Sequence, residues 1–174
     1  NNTLTGGDGD DYLDGLGGTD TMIGGLGNDT FVVAQTTDVT TENAAQGTDT
    51  VRAGITWTLA NNVENLILTG TTAINGTGNT LDNALTGNSA VNALVGNAGA
   101  DTLDGAGGAD TLTGGAGNDA YRLARGYGAD TVVENDATAG NNDIAQFLAG
   151  VVREQVWFLR AGNNLEASII GTSD

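Results

Sequence analysis

The chain has 174 residues, 29 of them glycine, and contains no proline, cysteine or histidine. Its 22 acidic side chains outnumber five basic ones, all arginine, giving a formal net charge of −17. This composition excludes disulfides, thiolate zinc sites and Ser-His-Asp or Cys-His nucleophiles. It also speaks against nucleic acid or an anionic membrane surface as a partner, since Lys and Arg hold both.

Oxygen remains as the donor for any metal, and hard cations prefer oxygen, calcium above all. So many carboxylates repel one another in a compact state unless a cation neutralises them. No apolar run is long enough to cross a membrane, so no membrane insertion is expected, and the start NNTLTGG does not read as a signal peptide.

Residues 1–40 keep a nine-residue spacing. Leu4, Leu13, Met22 and Phe31 are nine apart, and the turns GGDGDD, GLGGTD and GGLGND end at Asp11, Asp20 and Asp29. Each unit reads G-G-x-G-x-D-x-U-x, with U a large apolar residue, so a glycine-rich turn leads into a very short strand. One apolar residue per unit cannot build a core in a single layer. The units must stack, two to a coil, with their U side chains in a continuous row. Residues eighteen apart then lie above one another, which sets Asp11 over Asp29. Bare carboxylates at that spacing repel, and a calcium ion between them turns repulsion into ligation. The second turn carries Leu16 where glycine is expected. Its side chain resists positive φ, so a site joining Asp20 to Asp38 in VAQTTD is expected to be weaker.

Residues 41–72 lose the spacing and read as a connecting β segment, with strands expected at 50–55, 56–59 and 65–69. Asp49, in QGTD, is either a cap on the site below Asp29 or a solvated turn aspartate. Residues 73–97 are rich in asparagine, with Asn83 and Asn92 in place of the turn aspartate and Asn79, Asn88 and Asn97 beside them. Stacked amides can bond to each other and to turn backbones. The stretch is read as solenoid rungs needing little or no calcium, or as an eroded repeat that keeps its fold.

Residues 98–133 form a second block. The apolar series Leu85, Leu94, Leu103, Leu112 and Tyr121 runs into it, with turns ending at Asp101, Asp110 and Asp119. Asp101 is expected over Asp119. Asp130, in RGYGAD, completes a site with Asp110 after a two-residue insertion or is a solvated turn residue. Residues 134–174 change composition: EQVWFLR and NLEASII alternate like two strands around AGNN, which suggests a C-terminal β cap over the open end. Trp157 and Phe158 fit cap packing better than a ligand cleft.

GGDGDDYLD, GGLGNDTFV and GGAGNDAYR resemble the nonapeptide repeats of the RTX family, the secreted haemolysin-type calcium-binding proteins. The resemblance implies an all-β fold, a parallel β-roll or β-solenoid in two blocks, with Ca2+ as the bound ion. It also implies export by a Gram-negative type I system and an extracellular or cell-surface location. Carried over residue by residue, it implies turn carbonyls as ligands beside the aspartates. The first site takes Gly7, Gly9 and Asp11 with Gly24, Leu26 and Asp29. The next takes Leu16, Gly18 and Asp20 with Val33, Gln35 and Asp38. In the second block Asn97, Gly99 and Asp101 meet Gly114, Ala116 and Asp119, while Ala106, Gly108 and Asp110 meet Arg125, Tyr127 and Asp130.

The aspartates lie in turns where ionisation serves ligation, so a glycosidase-like carboxylate pair is not expected and the chain reads as non-enzymatic. The leading expectation is a calcium-binding structural module of a large secreted protein, an adhesin, surface-layer or matrix component. Its partners would be further repeats of the same protein or cell-surface material. The alternative is the non-catalytic C-terminal module of a secreted protease, lipase or polysaccharide epimerase. The chain itself reads as an excerpt of something longer.

Overall fold

The computed structural model describes residues 1–134, 141–152, 156–161 and 164–169, the last two as backbone. Every element in these residues is a β-strand. Short strands alternate between two walls of one coil, as a chain with a single inward apolar residue per nine must arrange them.

The first wall is an eight-stranded parallel sheet. In spatial order it holds β2 (Tyr12–Asp14), β4 (Thr30–Val33), β6 (Thr50–Ala53), β8 (Asn65–Leu68), β10 (Ala84–Thr86), β12 (Thr102–Asp104), β14 (Ala120–Leu123) and β16 (Ile144–Phe147). The second wall comes in two pieces. One is β1 (Thr3–Asp8), β3 (Thr21–Leu26) and β5 (Val39–Thr41). The other is β7 (Trp57–Thr58), β9 (Gly76–Thr77), β11 (Ala93–Ala98), β13 (Thr111–Ala116) and β15 (Thr131–Val133).

Within the repeats the register is eighteen residues, as in Leu4↔Met22 and Leu94↔Leu112. Residues 41–72 do not interrupt the first wall. Phe31 pairs with Val51, Val51 with Leu66 and Leu66 with Leu85, so the segment without a nine-residue spacing continues the coil. The turns absorb the uneven lengths, and β6 stops at Ala53, before the bend at Gly54 and Ile55.

The core follows from the repeat, but the expected continuous row is two rows, one on each wall. Leu13, Phe31, Val51, Leu66, Leu85, Leu103 and Tyr121 form one unbroken buried ladder along the first wall. Each such side chain contributes about 1.5–3 kcal/mol on burial. The opposite row is broken where the second wall is broken. Met22 is followed by Thr40, a buried hydroxyl at an apolar position. Further along, Gly76 stands in the row because Leu66 and Leu94 fill the space a Cβ would need, at 2.8 and 3.1 Å.

The two C-terminal strands, β17 (Val156–Ala161) and β18 (Asn164–Ile169), pair antiparallel with each other. The expected hairpin is therefore present, with Ala161 opposite Asn164. The side chains that would make it a cap, Trp157 and Phe158 among them, lie outside the described residues.

Candidate metal centres

The turns that end at Asp11, Asp20, Asp29, Asp101, Asp110, Asp119 and Asp130 each contain two left-handed residues. Gly7 and Gly9 have φ of 116° and 100°, Gly25 and Gly27 116° and 126°, and Gly115 and Gly117 109° and 138°. Stacking makes glycine obligatory at Gly27, whose Cβ would collide with the carbonyl of Gly9 one coil away.

Leu16 takes φ 64° and Ala106 φ 63° at the equivalent position, so the expectation that Leu16 resists positive φ is corrected. The reason is local. Asp14 Oδ1 accepts the Leu16 N–H at 2.8 Å, and Asp104 Oδ1 accepts the Ala106 N–H at 3.0 Å. A carboxylate two residues back thus helps hold a non-glycine residue in the left-handed region.

Each turn aspartate uses its two oxygens differently. Oδ1 accepts the N–H of the aspartate one coil back: Asp29 from Asp11 at 2.8 Å, Asp49 from Asp29 at 2.7 Å, Asp119 from Asp101 at 2.9 Å and Asp130 from Asp110 at 3.0 Å. The sequence-predicted pairs are therefore brought together, and Asp49 and Asp130 are built into the stack. Oδ2 of Asp11, Asp20, Asp29, Asp49, Asp101 and Asp110 is buried with no hydrogen-bond partner among the described residues. All of these except Asp49 lie over the first glycine of their own turn. A Cβ on Gly6 would lie 2.5 Å from Asp11 Oδ2 and 2.6 Å from the Gly24 carbonyl oxygen. On Gly96 it would meet Asp101 Oδ2 and, at 2.6 Å, the Gly114 carbonyl oxygen.

Carboxylate and carbonyl oxygens crowd these spaces, and the carboxylate Oδ2 atoms have no donor among the described residues, which is costly when they are buried. The strain registers in protonation. Burial first, then neighbouring carboxylates, pushes Asp101 up to about 7 and Asp110 and Asp49 to about 6. An all-oxygen set of carboxylates and carbonyls fits calcium and does not fit a thiolate or imidazole metal. Asp11 and Asp29 with Gly24, and Asp101 and Asp119 with Gly114, are the groups placed to hold it. The carbonyls of Leu26, Ala116 and Tyr127 each accept a backbone N–H, from Gly9 at 2.5 Å, Gly99 at 2.9 Å and Gly108 at 2.6 Å. A carbonyl keeps a second lone pair after one such bond.

The Asp20/Asp38 turn is built otherwise. Asp38 Oδ1 accepts from Asp20 at 3.2 Å, but its Oδ2 already accepts the N–H groups of Ala34 and Gln35 at 3.1 and 3.0 Å. The Val33 carbonyl accepts the Gly54 N–H at 3.2 Å. The Gln35 amide is oriented to donate to the Gly18 carbonyl at 3.2 Å and accept its N–H at 2.8 Å. Protein donors thus occupy acceptors that the other turns leave open.

The asparagine turns are satisfied without a cation. Asn83 Oδ1 accepts the Asn79 N–H at 2.7 Å, and its Nδ2 donates to the carbonyls of Val63 and Glu64 at 3.2 Å. Asn92 repeats this with the Asn88 N–H at 2.8 Å and the Ile74 carbonyl at 2.6 Å. Asn97 Nδ2 donates to the Gly78 carbonyl at 2.9 Å. Most of these bonds go to turn backbone; one, Asn92 to Asn88 at 3.2 Å, joins two amides.

Three acidic residues escaped sequence reasoning. Glu42 meets Asp29 and Asp49, and Glu134 meets Asp119 and Asp143, each set with oxygens within 4.8 Å of one another. Glu134 Oε2 also accepts the Tyr121 hydroxyl at 2.7 Å. The signal was a second motif, D-x-x-x-E, which closes both blocks as DVTTE at 38–42 and DTVVE at 130–134.

Residues 1–31 and 86–121 match the model of the RTX calcium-binding nonapeptide repeat (four copies). No curated protein matches the chain. The parallel coil, the eighteen-residue register and the buried carboxylate turns agree with that match. These two segments are RTX calcium-binding nonapeptide repeats, and they lie in a parallel β-solenoid consistent with an RTX β-roll.

Proposed function

We propose that the chain is a calcium-responsive structural module of a larger secreted protein, an adhesin, surface-layer or matrix component exported by a type I system. One observation carries the reading: buried carboxylate oxygens without donors among the described residues recur from turn to turn in both blocks. A chain of net charge −17 with 29 glycines opposes its own compaction, through repulsion and through an ordering cost of about 1–2 kcal/mol per residue. Calcium outside the cell offsets that opposition, so the module is expected to fold there.

The role is structural and not enzymatic. Buried turn aspartates such as Asp29 and Asp101 point Oδ2 into their own turns, where ligation is the chemistry available to them. Far-UV circular dichroism at neutral pH tests the calcium part: coil in EDTA and β-structure in millimolar calcium are expected, and full β-structure in EDTA overturns it. Export is tested by deleting the host's type I transporter, after which the parent protein should no longer reach the medium.

A further inference from the structure

We propose that Asp29, Glu42 and Asp49 form a three-carboxylate cation site that ends the first calcium row and ties the two walls together where the second wall is interrupted. The inference rests on the calcium reading above and adds to the stacked Asp29 and Asp49 a third carboxylate, Glu42, that the nonapeptide pattern does not contain.

The three residues come from three elements. Asp29 precedes β4 and Asp49 precedes β6, neighbours in the eight-stranded wall, while Glu42 follows β5, the last strand of the three-stranded piece. The β3–β5 register runs Thr21↔Val39 to Ile23↔Thr41, so Glu42 follows in line with Gly24, the first glycine of the turn below. The repeat would place another glycine there, with only a carbonyl to offer. This chain supplies a carboxylate.

All three side chains are more than nine-tenths buried, at 1%, 6% and 0% exposure for Asp29, Glu42 and Asp49. Each anchors one oxygen on backbone. Asp29 Oδ1 accepts from Asp11, Asp49 Oδ1 from Asp29, and Glu42 Oε1 from Gly25 and Asn43 at 3.3 and 3.2 Å. The second oxygen of each has no hydrogen-bond partner among the described residues. Glu42 Oε2 and Asp29 Oδ2 converge on the space above Gly24, where a Cβ would collide with both, and one oxygen from each of the three lies within 4.8 Å of the others. Each like charge worsens the burial of the next.

A cation of charge two or three resolves this arrangement. Three carboxylates exceed the two of a paired turn, and ligand charge sets affinity in oxygen sites. The site therefore favours a trivalent hard ion over calcium more strongly than the paired turns do.

Terbium competition against calcium on the intact chain distinguishes these classes, with Glu42→Gln and Asp49→Asn at this site and Asp101→Asn as the control elsewhere. Glu42→Gln and Asp49→Asn are each expected to remove one terbium-preferring ion, its affinity falling about tenfold or more. Asp101→Asn should leave that ion in place. Both substitutions at the site are isosteric, and each probes it independently, so one remains informative should the other fold poorly. Unchanged terbium preference in both variants overturns the inference while leaving the calcium reading intact. A wild-type chain that binds no calcium overturns both.

Discussion

The backbone N–H of Asp101 donates to Oδ1 of Asp119 at 2.9 Å, across one coil. The bond positions Asp119 beside the turn that Asp101 closes, and Asp101 keeps its own Oδ2 buried and without a hydrogen-bond partner among the described residues. The same Asp101 offers Oδ1 to the N–H of Asn83 at 2.7 Å. A single carboxylate thus holds the coil below through one oxygen and keeps the other buried in its own turn.

Aspartate and asparagine turns should separate under substitution. Asp101→Ala is expected to abolish one calcium ion, because it removes a charged ligand. Asn83→Ala should keep the ion count and lower stability by about 1–3 kcal/mol, since it strips donors and an acceptor from buried turn backbone. Titration calorimetry with thermal melts checks both, and loss of an ion in Asn83→Ala would contradict the distinction.

Filling the space above a turn should act like removing a ligand. Gly96→Ala puts a methyl group against Asp101 Oδ2 and the Gly114 carbonyl, and the Asp101/Asp119 ion is expected to be lost. Gly54→Ala is the control, because its nearest neighbour, Thr69 Oγ1, is 3.7 Å away. Equal calcium counts in Gly96→Ala and the wild type would show that the cation lies elsewhere.

The calcium-free chain should gain structure in acid. Asp101 and Asp110 rise from an ordinary 3.8 to about 7 and about 6, burial being the main cause. Their folded values exceed the unfolded one, so the fold holds more protons between the two. Stability is then fullest below the unfolded value and is lost as pH rises through the folded values. In EDTA, circular dichroism should show β-structure growing as pH falls from about 8 to about 4. At neutral pH, calcium uptake should release protons. A β-signal that declines on acidification contradicts this.

Ala106 is held at φ 63°, where an L-residue costs about 1–2 kcal/mol that glycine avoids. Glycine's greater unfolded freedom returns about 0.5–1 kcal/mol of that. Ala106→Gly should therefore stabilise the calcium-loaded chain by up to about 1 kcal/mol, read as a small upward shift in melting temperature. A destabilised variant would mean that the left-handed φ costs alanine less here than glycine's unfolded freedom does, since the Asp104 bond to the backbone N–H is kept by both residues.

The coil was legible because its period is strict where the motif is strict: Leu13 to Phe31 and Leu94 to Leu112 sit one coil apart. Val51 and Leu66 belong to the same ladder but lie 20 and 15 residues from their predecessors. A fixed period passes over them, since a strand need only return to the sheet and the turn absorbs the difference. The paired aspartates could be read from stacking alone. Glu42 could not, because it occupies a glycine position and reaches the site through its side chain. Leu16 misled for a related reason: its left-handed φ depends on the Asp14 carboxylate, a contact invisible to the motif.

The most direct measurement is anomalous scattering from crystals grown in calcium. Ions are expected at Asp11/Asp29, Asp101/Asp119 and Asp110/Asp130, with none in the Asn83 and Asn92 turns, where amides fill the acceptors. Well-ordered aspartate turns without anomalous peaks at Asp11/Asp29 and Asp101/Asp119 would contradict the claim that these carboxylates are held in the fold by calcium.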